Sequence, residues 1–359
     1  MVAKPMNKKL RLALIGAGNV MKTRHLPALL RNVGLFELRG IVDVDITRSK
    51  QLADKHRIPH YSGLDGEHGI STLEWFNEVD AVIIGVPPQG HYPLARECLL
   101  LGKHVLVEKP LALKIEEAKD LVSLAKAKHL VLAVKHNFQY AKSVLKLDGL
   151  LKNGELGRVQ SIYCVQLTNQ ARRIPAWVEE LPYGLFFDES PHYFYLTRKI
   201  TGDELRIKSV YRSRSRLRSA TPEILNLNLE SGNIPVTVYW NFDSPVCEWQ
   251  FIIIGEKKMA AVDLFRDILI LLPNDTPHLG YQVMRTSILS AFQHWKGVAV
   301  NGLSYLQNKL NYGFDISQQN FHRAVTSGDV SHIQGMSGED GLCVTEIQNE
   351  IVRQLDANG

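Results

Sequence analysis

Asp188 and His192 stand four residues apart, and a carboxylate and an imidazole at that spacing can share one helix face. Imidazole titrates near neutral pH, so His192 is the candidate general base for taking a proton from an alcohol. Asp188 would orient it or bind a hydroxyl of the substrate. Ser190-Pro191 lies between them, and Ser before Pro reads as a helix N-cap followed by the first helical position. That reading puts Asp188 in the turn before a helix and His192 in its first turn. A helix-start acid and a packed core histidine are the plainer alternatives. Lys109 is the third candidate. It follows the apolar run His104–Val107, and Pro110 fixes the backbone beside it. A surface pair with Glu108 is its plainer alternative.

A second group of residues suits a phosphate. Gly16-Ala17-Gly18-Asn19-Val20-Met21 follows the apolar run Leu10–Ile15 directly. Two glycines let the backbone turn sharply and approach a pyrophosphate, and the next helix presents unpaired N–H groups to it. Met21 stands where that fingerprint has a third glycine or alanine, which departs from the usual close packing of helix on strand. Asp43 closes the next apparent strand, 25 residues beyond Gly18. A carboxylate there accepts both ribose hydroxyls and repels a 2′-phosphate, which favours NAD over NADP. Asp43 beside Asp45 also reads as a solvated turn acid, and Arg48 nearby would suit a 2′-phosphate, so NADP stays open. Next to a nicotinamide cation the ammonium form of Lys109 would be disfavoured.

The elements that must position these groups alternate in the first part of the chain. Leu10–Ile15, Leu38–Val42, Ala81–Val86, His104–Val107 and Leu130–Val134 read as strands buried on both faces. Helical patterns over Met21–Arg31, Arg48–His56, Gly90–Leu101 and Ile115–Lys128 lie between them. Such repeats predict a doubly wound parallel sheet, a Rossmann arrangement. Beyond Lys135 the pattern changes. Arg158–Leu167, Leu205–Leu217, Ile224–Leu229, Ile234–Asn241 and Trp249–Gly255 alternate polar and apolar residues, as strands with one exposed face do. Leu185–Thr201, Met284–Leu310 and Gly338–Leu355 read as helices, the last capped by Ser337. The expected fold class is therefore α/β, with a dinucleotide-binding domain over residues 1–134 and a substrate-binding α+β domain with a large open mixed or antiparallel sheet over 135–359.

Composition excludes several alternatives. With 359 residues, 45% hydrophobic and 22% charged, the chain is an ordinary globular one with room for two cores. The net charge of +5 is spread out, and the Arg212–Arg216 run alternates with serine, so no nucleic-acid partner is expected. Cys98, Cys164, Cys247 and Cys343 form no CxxC pair, and the 13 histidines form no HExxH cluster, so neither a metal site nor a disulfide framework is expected. No apolar segment approaches 18 residues, which leads to the expectation of a soluble cytoplasmic protein with no membrane partner.

The chain resembles the glucose–fructose oxidoreductase, inositol dehydrogenase and rhizopine-catabolism family (Gfo/Idh/MocA), from about Leu10 to Leu355. Four segments carry the resemblance: Gly16–Val20 with His25-Leu26-Pro27-Ala28-Leu29; Val86-Pro87-Pro88 with His91, leading through Gly102-Lys103-His104-Val105 to Glu108-Lys109-Pro110; Asn153–Val159; and Gly184–Asp188 followed by His192. The resemblance implies substrate held between the domains and dimer or tetramer contacts through the second sheet. It implies that Lys109 hydrogen-bonds the reacting oxygen and helps to move its proton, with Asp188 and His192 as the family's Asp-x-x-x-His pair. His91 falls where the family places a residue near the cofactor.

The expected function is an NAD(P)-dependent oxidoreductase acting on a secondary alcohol or ketone of a sugar or polyol. Lys109, Asp188 and His192 are its catalytic residues. Gly16, Ala17, Gly18, Asn19, Val20, Asp43, Arg48, Pro87, His91, Glu108, Lys109 and Asn137 form its cofactor site. Arg173 and Trp177, with Arg172 beside them, join the catalytic residues in binding substrate. Two other readings use the same residues: an NAD-retaining redox elimination of a glycosidic substituent, and a non-catalytic nicotinamide sensor. The segment Pro273–Asn311, with Trp295, has an amphipathic look that suits substrate access or an oligomer interface.

Overall fold

The computed structural model describes residues 9–64, 69–213, 219–307, 310 and 312–357. Most of the Arg212–Arg216 run, the expected strand end at Leu217 and parts of the expected segment ends at Leu310 and Asn311 therefore lie outside the described residues. The chain forms two compact units. Unit 1 takes residues 1–136 and 314–346, and unit 2 takes 137–313 and 347–359. This differs from a single division at 134/135 by returning residues 314–346 to the first unit.

Unit 1 is built on β1 (Leu10–Ile15), β2 (Phe36–Asp43), β3 (His60–Gly63), β4 (Ala81–Ile84), β5 (His104–Val107) and β6 (Leu132–Val134). They form one sheet in the order β3-β2-β1-β4-β5-β6, and all five pairings are parallel. Apolar side chains on both faces hold it. Ile15, Val82, Ile84, Val105 and Val107 are buried with Leu99 of α3 (His91–Leu100) and Leu121 of α4 (Ile115–Ala127), after α1 (Leu26–Arg31) and α2 (Ile46–His56). The strand order reverses between β1 and β4, so a crevice opens at their carboxyl ends, where such sheets bind ligands. β3 escapes sequence reading because His60-Tyr61-Ser62-Gly63 is polar, short and at the sheet edge.

Unit 2 contains α5 (Lys142–Lys152), β7 (Val159–Asn169), α6 (Leu185–Glu189), α7 (Pro191–Thr201), β8 (Leu205–Arg212), β9 (Ile224–Ser231), β10 (Ile234–Ser244), β11 (Glu248–Gly255), β12 (Lys258–Asp263), β13 (Ile268–Pro273) and α8 (Gly280–Leu306). Its sheet runs β13-β12-β11-β7-β10-β9-β8, with β10–β7 parallel and the other pairs antiparallel. Alternation decides its faces. Val236, Val238 and Trp240 point inward, and Trp240 meets Phe186 and Phe194 edge-on at 5.6 and 6.3 Å between ring centres. Tyr163 and its neighbours on the other face stay half-exposed.

The chain then returns to unit 1 through α9 (Phe314–Ser327) and enters α10 (Gly338–Ala357). Arg31 grips Asp315 with Nε at 3.0 Å and Nη2 at 2.9 Å. The Val134 N–H donates to the Met336 carbonyl at 2.7 Å, extending β6. Ser337 caps α10 reciprocally: its Oγ accepts from Asp340 N–H at 3.1 Å, and its own N–H donates to Asp340 Oδ2 at 3.0 Å. Among the described residues no helix is long and apolar enough to cross a membrane, and no group of three or more His, Cys, Asp or Glu is placed to hold a metal ion.

Candidate active site

In unit 1 the turn after β1 has the geometry that a phosphate needs. Gly16 takes φ +98°, and a Cβ there would lie 2.6 Å from the Gly85 carbonyl oxygen, so only glycine fits. A Cβ on Gly18 would meet nothing within 4 Å, so the backbone here faces open space that a pyrophosphate can approach. The turn is braced by Asp43, which is buried. Its Oδ2 accepts from Ala17 N–H at 2.6 Å and its Oδ1 from Asp45 N–H at 2.9 Å. A carboxylate has about four acceptor sites, so two remain for hydroxyl donors. The residues present fit a dinucleotide.

The helix expected over Met21–Arg31 is instead a π-helical turn, Met21–His25, followed by α1. Met21 is fully buried, and a Cβ on Gly85 would sit 3.2 Å from its Cε. The missing Cβ at Gly85 thus makes the room that a glycine at position 21 would otherwise supply. Asn19 is exposed and Val20 half-buried beside the turn, and Pro87 is exposed at the end of β4. Arg48 is exposed on α2 and pairs with Asp45 at 3.1 Å.

Lys109 follows β5, is half-buried, and precedes Pro110 through a cis peptide bond. Behind it, Glu108 accepts from His25 Nε2 at 2.8 Å in a buried pair. Burial pushes the His25 imidazole below its ordinary value against the pull of Glu108, so the neutral ring donates from Nε2. For Glu108 burial works upward, but the His25 bond and the charges of Lys109 and Lys135 prevail and hold the carboxyl below its ordinary value. His91 is fully buried, with Nδ1 2.6 Å from the Pro110 carbonyl and Nε2 3.0 Å from the Val86 carbonyl. It therefore joins the loop after β4 to the loop after β5. Burial lowers its pKa against the pull of the two carbonyls, and the ring in its neutral form donates to one of them at a time.

The other candidates belong to unit 2. Ser190 joins α6 to α7 in αR conformation, φ −59° and ψ −30°, so Asp188 sits within a helical turn rather than before it. Ser190 makes no side-chain cap; its Oγ accepts from Gln348 at 3.0 Å. Pro191 takes the first helical position as expected. Asp188 is half-buried, and His192 is buried against Phe138 and Trp249, with ring centres 4.8 and 5.3 Å away. Tyr195, which sequence reading did not single out, lies one turn further on. Its hydroxyl accepts from Phe138 N–H at 3.1 Å and stands 2.7 Å from His192 Nδ1. A phenol oxygen has two acceptor sites and one proton, so the direction of the contact with Nδ1 is set by the tautomer of the ring.

Asn137 is buried, and its Nδ2 donates to the Tyr312 carbonyl at 3.0 Å. Arg172 pairs with the buried Glu189 at 2.7 Å, and Gln166 also donates to that carboxylate. Arg173 is exposed and Trp177 half-buried on a short 3-10 turn. A cleft of about 800 Å³ in unit 1, lined by His104, His129, Ser331 and Asp340 among others, contains none of these candidates.

Comparison with known proteins gives the following. Residues 10–136 match the sequence model of the oxidoreductase family with an NAD-binding Rossmann fold (GFO_IDH_MocA). The uncharacterized oxidoreductase YdgJ of Escherichia coli K12 is 36% identical over 156 residues, 43% of this chain and 42% of that one. Inositol 2-dehydrogenase 4 of Saccharopolyspora erythraea is 27% identical over 65% of this chain and 67% of its own. Across four relatives from E. coli, Bacillus subtilis and Schizosaccharomyces pombe, the chain spans 40% to 56% of their length. Among solved structures, the WlbA dehydrogenase of Bordetella pertussis, crystallised with NADH and UDP-GlcNAcA, has the same fold. Its TM-score is 0.76 at 16% identity, over 99% of this chain and 98% of that one.

Proposed function

We propose that this chain, whose residues 10–136 match the oxidoreductase family with an NAD-binding Rossmann fold (GFO_IDH_MocA), interconverts a secondary alcohol and a ketone on a sugar, a polyol or a sugar derivative. Bound NAD supplies hydride transfer at the carbon that carries the reacting oxygen. The observation that carries the reading is the braced glycine turn, with Gly18 open to a phosphate and Asp43 holding acceptor sites in reserve. Gly16–Val20 cradle the pyrophosphate, Asp43 takes the ribose hydroxyls, and Pro87, Glu108 and Asn137 belong to the same cofactor site. His91 serves that site from behind, by tying the backbones on which Pro87 and Lys109 stand. Arg48 is the residue to test for a 2′-phosphate.

Lys109 hydrogen-bonds the reacting oxygen. His192 gives that oxygen its proton in the reductive direction and receives it in the oxidative one, and Asp188 binds a neighbouring hydroxyl. Arg173 and Trp177 meet the rest of the substrate, a charged group and a ring face respectively. The sugar-like substrate class is supported by what two similar proteins are named for or crystallised with, inositol and a UDP-sugar. None of the four cysteines is joined in a disulfide, which suits a cytoplasmic, reducing setting. Self-association through the half-exposed face of the seven-stranded sheet, as a dimer or tetramer, completes the reading.

The test is a fluorescence titration with NADH and with NADPH, in the wild type and in Asp43→Ala. NADH binding should be the tighter of the two and weaken about tenfold or more in the variant, as the loss of charge-assisted hydrogen bonds to a hydroxyl pair requires. Sugars and polyols are then screened for turnover, with Lys109→Ala and His192→Ala expected to lose it while still binding NADH. Binding of neither cofactor, by protein shown to be free of bound nucleotide, would sink the proposal. Turnover without net NADH release would reassign the enzyme to redox elimination.

A further inference from the structure

α8 is turned opposite to an ordinary surface helix. The side chains that meet Arg266, Asp267, Ile268 and Leu271 of its own unit are polar or small. The Gln293 amide accepts from the Leu271 N–H and donates to the Leu271 carbonyl, both at 3.0 Å, so it takes both backbone groups of that residue on edge strand β13. Asn301 Nδ2 donates to the carbonyls of Arg266 and Asp267 at 2.8 and 2.7 Å. At Gly297 a Cβ would lie 2.7 Å from the Ile268 side chain. The outward face is the apolar one: Phe292 is 64% exposed, Trp295 71% and Leu306 85%. An amphipathic helix normally buries that face, and a large exposed apolar patch marks a surface that something covers.

The spacing of the stripe sets its direction along the helix. Tyr281, Phe292 and Leu303 recur at eleven-residue intervals, as do Met284, Trp295 and Leu306, and Ile288 and Ala299 form the third row. Two helices that wind around each other in the common left-handed sense need a seven-residue repeat. An eleven-residue repeat averages about 3.67 residues per turn, close to the 3.6 of a straight helix, so the stripe runs almost along the axis. Such a stripe can lie along a flat surface or seat a second helix in a right-handed supercoil, and charge decides between the two. Charge says what that surface carries. The 27-residue helix holds Arg285 and Lys296 and no Asp or Glu, on a chain of net charge +5. A second copy of the helix would bring the same two cations and no carboxylate. A surface that is flat, apolar just beneath and anionic above is a lipid bilayer, and Trp and Tyr side chains favour its boundary.

We propose that α8 docks this protein on an anionic lipid bilayer, with the Phe292–Trp295 stripe in the boundary between headgroups and acyl chains and Arg285 and Lys296 at the lipid phosphates. The helix lies on the surface and does not span it: its polar face is held by β13, and no described helix is long and apolar enough to cross. The expectation of no membrane partner rests on segment length, which does not bear on a helix lying flat.

The test floats full-length protein with vesicles of phosphatidylcholine alone and of equimolar phosphatidylcholine and phosphatidylglycerol. The mass of the lipid-free protein is measured in parallel. The wild type should float with the anionic vesicles and at least tenfold less with the neutral ones. Phe292→Ser/Trp295→Ser should lose at least tenfold in partitioning. Arg285→Glu/Lys296→Glu, which leaves the apolar stripe intact, should lose the preference for anionic lipid. Unchanged NADH binding by the variants checks that they fold, and it keeps this result separate from the test of the cofactor site. A wild type that stays unbound with both vesicles overturns the proposal, as does a serine variant that floats equally well. Equal flotation on neutral vesicles overturns the anionic assignment. A wild-type oligomer that the serine variant breaks into smaller particles assigns the stripe to a second copy of the chain instead.

Discussion

The Tyr195 hydroxyl, 2.7 Å from Nδ1, bears on which nitrogen of His192 carries the ring proton. The expected arrangement is that this hydroxyl, which accepts from Phe138 N–H, gives its proton to Nδ1, so that a neutral ring presents N–H from Nε2. In that tautomer His192 is ready to donate to a carbonyl oxygen, and the reductive direction needs no rearrangement of the ring. ¹⁵N resonances of the wild-type histidine should show a pyridine-type Nδ1 and a pyrrole-type Nε2, and Tyr195→Phe should populate both tautomers. We expect the variant to lose roughly tenfold in kcat, the low end of what one positioned proton-transfer group contributes, with NADH affinity unchanged. A wild-type ring carrying its proton on Nδ1 would refute the assignment. Sequence reading reached Lys109, Asp188 and His192 through motif and spacing, yet it did not reach Tyr195. A tyrosine three residues after a histidine has no signature of its own, and its role exists only because the Phe138 amide is brought to it from 57 residues away. His91 was reached through the resemblance, but its bracing of two loops was not, because its two backbone partners lie on separate loops.

Elements with a strong local signal were legible, and those fixed by distant neighbours were not. Each strand of unit 1 that is apolar through its length was found from composition, whereas β3 was not, because an edge strand of polar residues is specified by its pairing with β2. The turn at Met21 is the instructive case. The departure from the glycine fingerprint is plain in the sequence, but its accommodation depends on Gly85, at the end of another strand. The start of α10 is the opposite case, since Ser337 and Asp340 close a cap three residues apart that can be read directly. Removing the hydroxyl in Ser337→Ala should lower unfolding stability by about 1 kcal/mol, the usual worth of an N-cap, measured as a shift of the urea midpoint at unchanged slope. A slope that changes as well would mean that the cap also holds α10 to β6.

Across the whole molecule, unit 1 is closed by chain that arrives late. Lys135, just after β6, is fully buried. It donates to Ser317 Oγ at 2.6 Å and to the Phe314 carbonyl at 3.3 Å, across some 180 residues of sequence. Burial pulls its ammonium down to about 7 from an ordinary 10.5, with Glu108 and Asp315 opposing the shift. Between those two values the unfolded chain binds a proton that the folded chain does not, so stability rises with pH across the window, and the cost of burying the cation is largest below it. Lys135→Met should therefore gain most over the wild type below pH about 7, and the gain should shrink towards pH about 10, as read from urea midpoints along a pH series. A difference that does not vary with pH would show that the side chain titrates alike in the folded and unfolded chain and would refute the shift. The return of residues 314–346 also sets an order of events during synthesis. A chain emerging from the ribosome presents β1 to β6 first, but α9, the strand-extending carbonyl of Met336 and the partners of Lys135 are still unmade. Residues 137–313 are translated in full before those pieces exist. Unit 2 lacks only the segment from 347, so the inserted unit has the opportunity to collapse first, and the nucleotide-binding sheet waits, with β6 unsealed, until residues 314–346 have been made.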